Sequence, residues 1–234
     1  MKIIAINDLV YILIPALLVV VVQWRWALKP KTSIIAIARM VIQLCLIGYV
    51  LTSIFMSEQV WVVLLILSIM LLASSWIALR SIPQHRTQLL GRALLATFVV
   101  NSLILAIISQ AILHNAPWFS PKIIVPLGGM VFAAGMNAIS LFAERYFSEL
   151  DKNLDDSSAR NTAYQATLIP TINSLFAVGL VSLPGMMTGQ ILSGVSPLIA
   201  VRYQIMVMLM LFASSGLTAA LFYTLLPKKV SEAH

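Results

Sequence analysis

The chain has 234 residues, 60% hydrophobic and only 10% charged, with a mean hydropathy of +0.97. A water-soluble domain is about one quarter charged, so these values exclude a soluble globular fold and point to a polytopic membrane protein. The net charge of +7 does not indicate nucleic-acid binding, because the basic residues are scattered between apolar segments and form no single patch.

Seven apolar segments are predicted, at roughly 8–28, 33–56, 60–79, 91–113, 122–143, 168–194 and 198–226. A bilayer crossing takes about 20 apolar residues. The pattern therefore predicts an all-α fold of about seven transmembrane helices, one transmembrane domain over residues 1–234. No small-residue cleavage site follows the first segment, which is expected to be retained. In segment two, Arg39 lies seven residues in, and Gln43 follows one helical turn later on the same face. Two readings fit Arg39. It faces the bundle interior and fixes an anion, a carbonyl or a neighbouring helix, or it snorkels to the headgroups. Cys45, the single cysteine, can form no disulfide within the chain and reads as a small buried hydrophobe.

Asn101, Asn137 and Asn173 sit in apolar segments, where an amide ties helices together or contacts a ligand. Segment five, PLGGMVFAAGMNAISL, carries Gly128, Gly129, Ala133, Ala134 and Gly135, which permit close helix approach. The one long connection, 144–166, mixes acids with bases. It reads as a short cytoplasmic helix that meets a soluble partner, or as a solvated connector. Segment six is interrupted by Pro170, Gly179, Pro184-Gly185 and Gly189. Proline and glycine free backbone groups that hydrocarbon cannot satisfy, so a broken membrane helix is buried in protein or lines a cavity. A pathway-lining or moving element and a kinked packing helix both fit it.

Eleven basic residues fall on one side of this arrangement: Arg25, Lys29, Lys31, Arg80, Arg86, Arg92, Arg145, Lys152, Arg160, Lys228 and Lys229. Lys2, Lys122 and Arg202 fall on the other. The positive-inside rule then places the N-terminus outside and the C-terminus in the cytoplasm.

Catalytic signatures are missing. There is no nucleophile elbow, no HExxH and no pair of intramembrane carboxylates. GQILSGVS at 189–196 lacks the lysine of a phosphate-binding loop, so no ATP site is expected in this chain. His85, His114 and His234 show no metal-ligand spacing, and the eleven methionines read as apolar filler or as soft-metal thioethers. Metal ligands are left unassigned.

The runs VGLVSLPGMMTG (178–189) and SGVSPLIAVRYQIMVM (193–208) resemble the signature of the Fet-type iron-export permeases, which include plant aluminium-tolerance permease subunits. ARMVIQLCLIGYVL (38–51) and VPLGGMVFAAGMNAISL (125–141) are similar to two further segments of that family. Where the family reads aspartate, lysine and threonine around its sixth segment, this chain has Asn173, Phe176 and Ala177, and its cytoplasmic loop is about ten residues shorter. The resemblance implies a permease subunit of an ATP-binding-cassette exporter in the bacterial inner membrane, not itself an enzyme. It implies a homodimer, ATP bound by a separate ATPase subunit, and iron as a candidate cargo. With that resemblance, the expected pathway or gating residues are Arg39, Gln43, Asn137, Pro170, Asn173, Ser174, Gly179, Pro184, Gly185, Met186, Met187 and Gln204. The expected ATPase-coupling residues are Glu149, Asp151, Lys152, Asp155, Asp156 and Arg160. An ATP-independent secondary transporter and a non-transporting scaffold are the alternatives.

Overall fold

The structure, a computed structural model, describes residues 8–55, 59–114 and 117–227. Lys2, Lys228, Lys229 and His234 of the charge argument and the histidine survey lie outside the described residues. The described chain is almost wholly helical, and it falls into two compact units, 1–57 and 58–234.

The first unit is a helical hairpin. Helix α1 (Leu9–Arg25) and helix α2 (Pro30–Phe55) are joined by a turn in which Ala27 adopts φ 55°. The amides of Trp26 and Leu28 close this turn onto Val22 O and Gln23 O at 3.0 and 2.9 Å. Pro30 opens α2, where its missing N–H costs nothing. Arg39, Gln43 and Cys45 are all exposed on α2. Cys45 is thus not the buried hydrophobe expected, because the hairpin offers α2 only one neighbour of its own.

The second unit holds α3 (Val60–Ala78), α4 (Arg86–Ala106), α5 (Pro121–Leu150), α6 (Asp156–Ala177), α7 (Gly185–Leu192) and α8 (Pro197–Thr224). Two 3₁₀ turns, Leu79–Ser81 and Pro83–His85, link α3 to α4. The end of α4 widens into a π-helical stretch, Ile107–Ile112, closed by the Leu113 amide on Ile108 O at 2.9 Å. The core gathers where α5 meets its neighbours, around the fully buried Phe142, Phe222, Leu79, Leu89 and Ile139.

Two expectations change. Among the described residues, five helical stretches are long and apolar enough to cross a membrane: 30–49, 60–81, 83–112, 121–150 and 197–224. Leu9–Arg25 is a shorter apolar helix, so a count of seven full spans does not follow from length and hydropathy. Segment six is not one span either. Its first half is the end of α6, residues 178–184 leave helical geometry, and its second half is α7. The long connection vanishes for the same reason. Helix α5 runs on to Leu150 and α6 begins at Asp156, so 144–166 is mostly helix around a short turn. The polar first half of α6 hid it from a hydropathy pattern.

Candidate functional site

Helices α5 and α8 run parallel, because contacts climb both in step. Ser214 Oγ donates to Val131 O at 2.9 Å, and a Cβ on Gly135 would stand 3.3 Å from Thr218 Oγ1. Further along, Phe142 meets Phe222 edge-on and Tyr146 meets Tyr223. Helix α6 runs the other way against them. Asp156 at its start bonds Tyr223, and Thr171 near its end reaches Ser215 at 3.4 Å. The end of α6 and the break after it therefore lie part-way along α5 and α8, and α7 completes the descent toward the start of α8. The helical path from α6 to α7 is therefore interrupted.

The break is well defined. Gly179 sits at φ +84°, a left-handed conformation that side chains resist. Its amide donates to Ser182 O at 2.9 Å, while the amides of Val181 and Ser182 both reach Ala177 O, at 2.8 and 3.1 Å. Pro184, extended, starts α7, and Thr188 Oγ1 caps back onto Pro184 O at 2.7 Å. Pro170 sits within α6, where its carbonyl accepts from Ser174 Oγ at 2.9 Å.

A cavity of about 750 Å³ opens between α5, α6, the break and α8. Of the expected pathway residues, Asn137, Pro170, Asn173, Ser174 and Pro184 line it. Sequence reasoning missed Thr167, Thr171 and Ser215 on the same walls. A signal was present, because Thr167, Thr171 and Ser174 follow i, i+4, i+7 spacing on one helix face. The lining holds hydroxyls, amides, alanines and the thioethers of Met130 and Met208, and no charged residue. Its walls are mostly apolar with a few hydroxyls and amides, and they offer a solute no counter-ion.

The other expected residues lie elsewhere. Met186 lines a second cavity of about 450 Å³ with Lys122, Met130, Gln190, Tyr203 and Met206. Gly179, Gly185 and Met187 border neither cavity. Gln204 is buried on α8, and among the described residues its Oε1 has no hydrogen-bond partner. Arg39 and Gln43 belong to the first unit. Among the described residues, no group of three or more His, Cys, Asp or Glu could hold a metal ion.

Behind the cavity, a polar seam joins α4, α5 and α8. Buried Asn101 accepts from Ser214 Oγ through Oδ1 at 2.6 Å. Gly135 opens the space, since a Cβ there would lie 2.9 Å from Asn101 Nδ2.

The six expected coupling residues sit at the end of α5, in the turn that follows and at the start of α6. Glu149 is buried and pairs with Arg145 at 2.8 Å and with Lys152 at 3.2 Å. Asp156 accepts from two phenols, Tyr146 on α5 and Tyr223 on α8, the latter at 2.6 Å. Arg160 lies over the Tyr223 ring at 5.5 Å. Asp155 caps α6, accepting from Ser157 Oγ and from the Ser158 amide at 3.1 Å. These bonds to Ser157 and then Ser158 hold its carboxyl down at about 2. Asp151 lines a polar cleft of about 300 Å³ with Gln84, His85, Glu144 and Ser148. His85 stacks on Phe147 with centroids 4.6 Å apart, which brings the α3–α4 turn to the same end. Arg80, Arg86, Arg145, Lys152 and Arg160 thus share one end of this unit, opposite Lys122.

A polytopic all-α membrane protein whose long helices border an uncharged cavity beside a broken helix pair is the class that this architecture defines. The profile of a family described as "Uncharacterised protein family (UPF0014)" matches residues 6–160 and 155–230, and the chain belongs to that family. It is 33% identical over 215 residues to the UPF0014 membrane protein slr1647 of Synechocystis sp., covering 86% of this chain and 83% of that protein. It is 32% identical over 204 residues to the probable iron export permease protein FetB of Escherichia coli strain K12, covering 80% and 77%. To the protein ALUMINUM SENSITIVE 3 of Arabidopsis thaliana it is 27% identical over 226 residues, covering 88% and 80%. The bacterial permease and the plant protein bear out the resemblance read from residues 178–208. No solved structure matches the chain.

Proposed function

We propose that this chain is the membrane subunit of an ATP-binding-cassette exporter, working as a homodimer with a separate cytoplasmic ATPase. The observation that carries this reading is the break between α6 and α7, which borders the cavity between α5, α6 and α8. Discontinuous membrane helices place backbone and small polar side chains where a solute is handled. The name of the Escherichia coli relative, a probable iron export permease, supports transport and makes Fe(II) the first cargo to test. ATP binding by the partner drives the change only if it favours one arrangement of the permease over another.

The basic end of the second unit is the ATPase-facing end in this reading, which puts the α5–α6 turn and the Asp156 cluster at the coupling surface. The C-terminus is then cytoplasmic and the N-terminus outside, in a bacterial inner membrane.

The test is ATPase activity of the partner reconstituted with this chain in lipid, with and without Fe(II), other divalent metals and candidate organic solutes. A cargo-dependent rise is expected. A stable complex that never responds to any of them would count against transport, and failure to form a complex would overturn the ATP-dependent reading.

A further inference from the structure

The two cavities of the second unit lie one above the other along the parallel α5 and α8 helices. The larger is bounded by residues 130–141 of α5 and 208–215 of α8, the smaller by 122–130 and 199–206. One side chain, Met130, lines both. We propose that the cavities are successive halves of one pathway and that Met130 is the movable wall between them, an inference that rests on the permease reading above.

The chemistry suits the task. Met130 is half-buried and packs at the edge of an apolar cluster that also engages Met186 and Met206. An unbranched thioether has three rotatable bonds and repacks at little cost, so it can close a passage in one rotamer and clear it in another. The wall is uncharged on both faces, with Met208 on the larger cavity and Met186 on the smaller. A hydrated solute therefore meets an apolar barrier at this point, and polar lining resumes at Asn137 two turns further along α5. Lys122 marks the far mouth of the smaller cavity.

Cysteine labelling tests this without knowledge of the cargo. Cys45→Ser removes the native thiol, and Asn137→Cys then reports on the larger cavity. A membrane-impermeant cationic thiosulfonate is added to vesicles of each orientation carrying the full complex. From the face bearing Lys122, labelling should be slow with Met130 present, at least about tenfold faster with Met130→Ala, and lost with Met130→Trp. Labelling from the opposite face should be the same in all three, which also shows that the variants are folded. Equal rates from the Lys122 face in all three variants would overturn the gate and leave the larger cavity as a pathway. No labelling from either face in any variant would show that the cavity admits no water, and would overturn the permease pathway itself.

Discussion

Gly135 shows how little room the centre of this bundle has. Helix α5 meets α4 and α8 there, and an added methyl group would press on Asn101 Nδ2 at 2.9 Å and on Thr218 at 3.3 Å. Both neighbours are fully buried, and Asn101 is already tied to Ser214. Gly135→Ala should therefore destabilise the protein by about 1–3 kcal/mol, the usual cost of overpacking, read as a lower thermal midpoint in detergent. Gly128 is the control. Its methyl would meet the tip of Leu67 at 2.6 Å, the far end of a flexible side chain, and alanine is the better helix former. Gly128→Ala should leave the midpoint nearly unchanged. Asp155 carries a pH prediction. Its folded value, about 2, lies below the ordinary 3.8, so its cap stabilises α6 fully above the ordinary value and is lost as pH falls through the folded one. Hydrogen exchange of the Ser158 amide should accelerate in that acid window, and Asp155→Asn should flatten the dependence.

The α6–α7 crossing is the element whose sequence and structure explain each other. Pro170, Gly179 and Pro184-Gly185 marked the stretch as broken, and the break falls at 178–184, with Pro184 and Gly185 forming the start of α7. Replacing Pro184-Gly185 by Ala-Ala removes the residue whose extended backbone separates the two helices. That change should extend helix into the break, abolish transport and leave membrane insertion intact. Transport at the native rate would show that the break is only a packing kink. The opposite end of α6 is held by side chains. Asp156 joins α5 and α8 through two tyrosines ten and sixty-seven residues away in sequence. Hydropathy leaves that stretch open between a short helix and a solvated connector, because five acids and three bases in 144–160 mask any apolar pattern. Tertiary bonds from Tyr146 and Tyr223 to Asp156, and the local Arg145–Glu149 pair within α5, give those charges partners in the helical form.

At the scale of the whole molecule, the distribution of charge is the feature with the widest consequence. The turn between α3 and α4, the turn between α5 and α6 and the end of α8 all meet at one end of the second unit, joined by His85–Phe147 and Tyr223–Asp156. In the proposed topology the basic residues brought together there face the cytoplasm. A reporter inserted at Asn153, in the exposed α5–α6 turn, should report the cytoplasm. A periplasmic signal would reverse the proposed topology and remove the proposed coupling surface from the reach of an ATPase.

Hydropathy alone determined that this is an all-α membrane protein, because twenty-residue apolar runs have no other stable form in a bilayer. Local sequence also marked where the sixth apolar segment breaks, since proline and glycine act through their own backbone. The family was legible in residues 178–208. Only the tertiary structure decided which residues share a wall. Asn137, Thr171, Asn173 and Ser215 come from three helices, and helix packing sets their meeting, which no spacing along one helix encodes. It alone placed Met186 in a different cavity from Pro184, two residues away, because α7 turns as it leaves the break. It alone decided between helix and connector for 144–166, placing the ends of two helices there, because Asp156 gains the partners Tyr146 and Tyr223 once the chain is packed.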